Sequence, residues 1–149
     1  MKKDNYNDRI LQALKADGRI SNTELADRVG LSPSACLRRV QELERLGVIK
    51  GYRAILDNQQ LDVGFIAYVA VSLSKHTRDA QKGFEQAIIQ SKEVLECHNV
   101  TGAYEYLLRV ETRDLKSYKR FHGEVLGILP QVSTISTHVV MESPKDQRA

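Results

Sequence analysis

The sequence predicts an α+β chain in two parts, a helical head with a helix-turn-helix and a βαββαβ second half. Three observations predict it. Two capped helical patterns, around Leu25-Ala26-Val29 and Cys36-Val40-Leu43, are separated only by the short turn Gly30-Leu31, which is the spacing of a helix-turn-helix. Beyond residue 64, apolar strand patterns alternate with helical ones in the order βαββαβ, a split βαβ arrangement. The charge is also uneven. Residues 1–60 carry 11 Lys/Arg against 8 Asp/Glu, and residues 61–149 carry 11 against 11. All of the formal excess of +3 therefore lies in the helical part. A basic module beside a neutral one points to a polyanion partner for the first and a different task for the second.

Each element of the head has its own signal. Tyr6, Ile10, Leu11 and Leu14 recur at helical spacing, with Asp4 available as a cap and Asp17-Gly18 as the stop. Ser21-Asn22-Thr23-Glu24 is a Ser-x-x-Glu capping box that opens the second helix, which Gly30 ends. Ser32 as N-cap and Pro33 at the first helical position open the third, and Gly47 stands at its stop. At about 100° per residue, Cys36, Leu37, Val40 and Leu43 share an inward side of that helix. Ser34, Ala35, Arg38, Gln41, Glu42 and Arg45 share the outward side, with Arg39 on the flank. Residues 48–53, Val-Ile-Lys-Gly-Tyr-Arg, read as a short hairpin or wing.

That outward face has the residue types a recognition helix needs. Arg can pair two donors with guanine, and Ser and Gln serve several bases. The expected DNA-contacting set is Ser32, Ser34, Ala35, Arg38, Arg39, Gln41, Arg45, Lys50 and Arg53. Ser34, Arg38 and Gln41 are placed to read bases, while Arg39, Arg45, Lys50 and Arg53 are placed to hold phosphate. The competing reading of the same face is a solvated surface of a three-helix bundle, with Glu42 and Glu44 diluting its charge.

The polar stretch 55–64 reads as a linker between a first domain over 1–54 and a second over 65–142, and 143–149 as a polar tail. In the second domain, residues 65–73 form a near-continuous apolar strand, which requires cover on both faces. A helix is expected over 79–90, strands over 94–100 and 104–110 joined through Thr101-Gly102-Ala103, a helix capped by Asp114, and a last strand over 132–141. Such a domain is ferredoxin-like, with both helices on one face of a four-stranded sheet. The other face is expected to be apolar enough to need a second copy of the chain, hence a dimer.

With 149 residues and 42% apolar content the chain is not of the disordered class. No apolar run approaches the ~18 residues of a membrane span, and the start Met1-Lys2-Lys3-Asp4-Asn5 lacks a signal-peptide core. The expectation is a cytoplasmic protein, associated with the nucleoid, without a membrane partner. Cys36 and Cys97 fit no metal or redox spacing and are expected to be free thiols. Cys97 and His98 are strand neighbours on opposite faces, and His76, His122 and His138 have no ligand spacing. No catalytic residue, metal or cofactor is expected.

In order and spacing, several stretches together carry a resemblance. They are Asp17-Gly18-Arg19-Ile20-Ser21-Asn22, Glu24-Leu25, Arg28-Val29-Gly30-Leu31-Ser32-Pro33, Cys36-Leu37 with Arg39-Val40, and Leu46-Gly47-Val48-Ile49-Lys50-Gly51-Tyr52. In the second half they are Glu96-Cys97-His98, Thr101-Gly102 through Tyr106-Leu107-Leu108, and Val139-Val140-Met141-Glu142. The chain resembles the Lrp/AsnC, or feast/famine, family of transcriptional regulators over nearly its whole length, most closely the leucine-responsive branch. The resemblance implies a winged helix-turn-helix followed by an α+β domain that senses a small effector, usually an amino acid. It also implies dimers that assemble into octamers or related discs. The family's effector turn maps to Thr101, Gly102, Ala103, Tyr104 and Glu105, and its hydroxyl position on the last strand to Thr137, with Ser136 beside it. A tight turn exposing backbone N–H groups can hold a carboxylate, and a nearby acid an ammonium. Ala103 stands where the family often has an acid, and Glu105 where it more often has aspartate. The extra methylene moves the carboxylate by ~1.5 Å, so the resemblance does not carry over leucine as the effector. The function implied is a sequence-specific, effector-responsive regulator binding double-stranded DNA. The alternative is an architectural protein that wraps DNA with little operator specificity or no effector.

Overall fold

The computed structural model describes residues 5–147 and divides into two compact units after Ala54. The helical unit is built from α1 (Asn5–Ala16), α2 (Asn22–Val29) and α3 (Pro33–Arg45). The Asp4 cap expected for α1 lies outside the described residues. Ile10, Leu25, Ala26, Val29, Cys36 and Leu43 form the core, with Leu14, Val40 and Ile49 packed against it. The α2–α3 turn is closed from both sides. Gly30 takes φ 81°, and its N–H donates back to the Ala26 and Asp27 carbonyls. A residue without Cβ adopts that left-handed conformation at little cost. Across the turn, Asn22 Nδ2 donates to the Pro33 carbonyl at 2.8 Å.

Both N-caps form. The Glu24 N–H donates to Ser21 Oγ and the Ala35 N–H to Ser32 Oγ, each at 3.2 Å. Only half of the capping box forms, because the Glu24 carboxylate turns to Arg28 at 3.0 Å, one helical turn on. Two expectations for the rest of this unit are corrected. Leu37 is 45% exposed rather than inward. It sits about 100° round the helix from Cys36, whereas Val40 and Leu43 fall within about 40° of it. Residues 48–53 form no strand pair. The Ile49 N–H donates to the Leu43 carbonyl at 3.1 Å, and Tyr52 Oη donates to Glu44 Oε1 at 2.9 Å. These two ties hold the segment against α3 without a hairpin.

The second unit contains β1 (Phe65–Leu73), α4 (Arg78–Ile89), β2 (Val94–Asn99), β3 (Tyr106–Thr112), α5 (Leu115–Phe121) and β4 (Val132–Val139). The sheet order is β2-β3-β1-β4 with every pair antiparallel, the ferredoxin-like order. One face packs Phe65, Val69, Val71, Tyr106, Leu108 and Val110 against Phe84 and Ile88 of α4 and Tyr118 and Phe121 of α5. Residues 55–64 are more ordered than a plain linker. Asn58–Leu61 form a 3-10 turn capped by Asp57, and Asn58 Nδ2 donates to Glu111 Oε1 at 3.1 Å. After α5 the helix widens into a π turn (His122–Leu126), with the Gly127 N–H donating to the His122 carbonyl at 2.8 Å. The extra residue per turn brings Leu126 rather than Val125 to full burial.

The open face of the sheet differs from expectation. Alternation sends Ile66, Tyr68 and Ser72 of β1 and Leu107, Arg109 and Glu111 of β3 to that side. Arg109 lies across it, donating to Tyr68 Oη at 2.8 Å and to Glu111 Oε1 at 3.2 Å, with its guanidinium 5.6 Å from the Tyr68 ring centroid. The face is thus an apolar centre crossed by a part-buried ion pair. The apolar run of β1 concealed this, because the polar partners come from β3.

Candidate nucleic-acid interface and effector site

The caps and the turn present α3 with its first residues uppermost, and its outer face is open. Ser32, Ser34, Arg38, Gln41, Arg45, Lys50 and Arg53 are exposed and Ala35 is half-buried. Ser34 Oγ lies 3.4 Å from Ser32 Oγ. Among the described residues Arg38 makes no hydrogen bond or ion pair, so its five donors are available to a ligand. Arg45 differs. Its Nε donates to Glu42 Oε2 at 2.9 Å and its Nη2 to Glu42 Oε1 at 2.6 Å. The Arg45 guanidinium holds the Glu42 carboxyl below its usual range, and Glu42 raises Arg45 in turn. A phosphate contact from Arg45 therefore requires an exchange of partner. Arg39 is turned away from the outer face. Its guanidinium lies 5.2 Å from the Tyr6 ring centroid, and Nη1 donates to Asn7 Oδ1 at 3.2 Å. It ties α3 to α1, because its position is only about 60° round the helix from Cys36.

In the second unit, residues 101–105 form a longer turn than expected, and β3 begins at Tyr106 rather than Tyr104. Thr101, Gly102 and Ala103 are exposed, and Tyr104 and Glu105 half-buried. Gly102 has φ 119°, and the Val100 N–H donates to the Glu105 carbonyl at 2.8 Å to close the loop. Glu105 replaces a ladder bond with its side chain. Oε2 accepts from the Leu73 N–H at 2.9 Å, and Oε1 lies 2.6 Å from His76 Nδ1.

Ser136 and Thr137 do not join one site. Thr137 lies on the helix-covered side, where its hydroxyl is hydrogen-bonded to Tyr118 Oη. Ser136 points to the open face, with Oγ 3.3 Å from His138 Nε2. Register pairs Ser136 with Ala70 and Thr134 with Ser72. Sequence reasoning missed His76, whose separation of 29 positions from Glu105 gives no sequence signal.

Burial first, and then the Glu85 carboxylate, push the Cys97 thiol up to about 11, so it stays protonated near neutrality. No group of three or more His, Cys, Asp or Glu among the described residues could hold a metal ion. None of the helices formed by the described residues is long and apolar enough to cross a membrane.

Comparison with known proteins agrees with this architecture. Residues 4–50 match the family described as winged helix-turn-helix DNA-binding, and residues 66–149 that described as Lrp/AsnC ligand binding domain. The chain is 44% identical over 136 residues to the leucine-responsive regulatory proteins of Escherichia coli K12 and of Serratia marcescens, covering 91% of this chain and 83% of each relative. Among solved structures, a transcriptional regulator of Neisseria meningitidis in complex with L-Met superposes with a TM-score of 0.93 at 33% identity, covering 97% of this chain and 94% of that one. An AsnC family transcriptional regulator of Agrobacterium tumefaciens gives 0.90 at 29%, with the same coverage. The sequence motifs, the two-unit fold and these likenesses agree: the chain belongs to the Lrp/AsnC family of DNA-binding transcriptional regulators.

Proposed function

We propose that this chain reads an operator with Ser34, Arg38 and Gln41 of α3 and is controlled by a free amino acid held near residues 101–105. The observation that carries the DNA half is the open outer face of α3, where Arg38 has no partner among the described residues. Lys50 and Arg53, exposed just beyond α3, supply phosphate contacts, and Arg45 adds one on leaving Glu42. Ser32 serves chiefly as the cap and Arg39 chiefly as the tie to α1. The effector half rests on the exposed turn with Gly102, Ala103 and the half-buried Glu105, with Thr101 and Tyr104 beside them. The complex of the Neisseria relative with L-Met makes methionine a first ligand to try. Ser136 stands on the open face of the sheet, and Thr137, bound to Tyr118 on the helix-covered side, serves the packing of the domain. The working form is a cytoplasmic dimer, in larger assemblies an octamer, joined through the open sheet face and the unpaired edges of β2 and β4.

A test separates this reading from an architectural one. Gel shifts on an operator selected from random DNA, each repeated with one of the twenty amino acids, should show at least one that changes affinity. Equal affinity for operator and scrambled DNA, with no response to any amino acid, would support DNA wrapping without operator choice instead.

A further inference from the structure

Glu105 is the acid through which the effector reading above brings in an ammonium group, yet in this structure its carboxylate is engaged at both oxygens. Oε2 accepts the Leu73 N–H at the end of β1, and Oε1 is taken by His76 Nδ1 at 2.6 Å. The two partners are unlike. The Leu73 bond is part-buried and fixed by the backbone. The His76 side chain is 77% exposed, against 17% for Glu105. It comes from the short connection between β1 and α4, whose first residue, Ser74, is held by its N–H to the Gln131 carbonyl at 2.8 Å. Thr77 then caps α4 by accepting the Ala80 N–H at 3.2 Å. His76 lies between these two fixed points. The contact is held on the His76 side by a solvent-exposed ring that exchanges partners at small cost, whereas a compact ammonium carries a positive charge and can donate one of its three N–H groups to the same oxygen.

We propose that His76 is the gate of the effector site: it occupies Glu105 Oε1 in the ligand-free protein and yields that oxygen to the α-ammonium of an incoming amino acid. The inference rests on the effector reading given above. Displacement of His76 frees the connection that leads directly into α4, which links occupancy of the turn to an element of the domain core. Nothing in the linear sequence pairs residues 76 and 105; the fold alone brings them together.

The test is calorimetric titration of the full-length protein with each of the twenty amino acids, in wild type, His76→Ala, Glu105→Gln and, as a control for local charge, Lys75→Ala. Removing the competitor should tighten binding of the responding amino acid about two- to fivefold in His76→Ala, the fold-change expected for losing a contact with a solvent-exposed side chain. Glu105→Gln should weaken it at least about tenfold, and Lys75→Ala should leave it unchanged. Wild-type affinity, or weaker binding, in His76→Ala alongside a loss in Glu105→Gln would overturn the gate and leave the effector reading standing. Binding of no amino acid by the wild type would overturn the effector reading and the gate with it. Backbone amide signals of residues 74–77 provide a second readout. They should move on ligand saturation in wild type, and their constancy would contradict displacement.

Discussion

At the scale of single residues, the same side-chain type does different work according to its partner. Arg38, Arg39 and Arg45 lie within eight positions, yet among the described residues the first has no partner, the second is packed on α1 and the third is held by Glu42. Composition cannot separate them, and the helical wheel separates only Arg39. Replacing Lys50 with Ala should weaken binding evenly across sequences and reduce the slope of log affinity against log salt by about one; titration at several salt concentrations checks this. Asp114 gives a pH prediction. The Ser117 backbone N–H, donated to Oδ1 at 2.7 Å, holds its carboxyl below the ordinary range. A depressed folded value stabilises above the unfolded value of ~3.9 and is lost as pH falls through the lower folded value. Thermal unfolding of wild type and Asp114→Ala should therefore differ at neutral pH and converge in strong acid. The effector residues were less legible. Thr101 to Glu105 are contiguous, so a motif could point to them, whereas the assignment of Ser136 and Thr137 to one pocket ignored the opposed faces of neighbouring strand residues.

Elements were read most securely where local chemistry decides them. Ser21, Ser32 and Asp114 each cap the helix that follows, and β1 spans the residues its apolar run marks. What could not be read depends on the rest of the fold. The π turn after α5 accompanies the burial of Leu126, and ahead of β3 the Glu105 carboxylate takes the Leu73 N–H. The arm after α3 lacks a hairpin because Leu43 and Glu44 hold it. At this scale, Ser21→Ala should cost about 1 kcal/mol by loss of a cap, measured by urea unfolding of the helical unit. Ile10→Ala should cost about 2–5 kcal/mol in a core of this small size. In circular dichroism and heat unfolding, DNA binding should then disappear while the sheet unit still melts cooperatively; a single joint loss of both would contradict the division after Ala54.

For the whole molecule, the asymmetry of charge has a structural counterpart. The basic part is a helical unit with an open recognition face, and the neutral part is a sheet whose helix-covered side is filled and whose other side carries Ile66, Leu107 and the Arg109–Glu111 pair. A charge placed at the centre of that open face, Leu107→Glu, should shift a dimer toward monomer in analytical ultracentrifugation; an unchanged mass would place the interface elsewhere. A dimer would carry two α3 helices, for which the expected operator is a pair of half-sites. The central claim is that α3 selects sequence through Arg38 rather than merely holding phosphate. Its most direct test is the ratio of affinities for a selected operator and for scrambled DNA at one salt concentration, in wild type and Arg38→Ala. A bidentate base contact contributes about 1–3 kcal/mol of discrimination. The account predicts that the ratio falls roughly 5- to 150-fold while scrambled-DNA binding changes much less; an unchanged ratio in Arg38→Ala would contradict it.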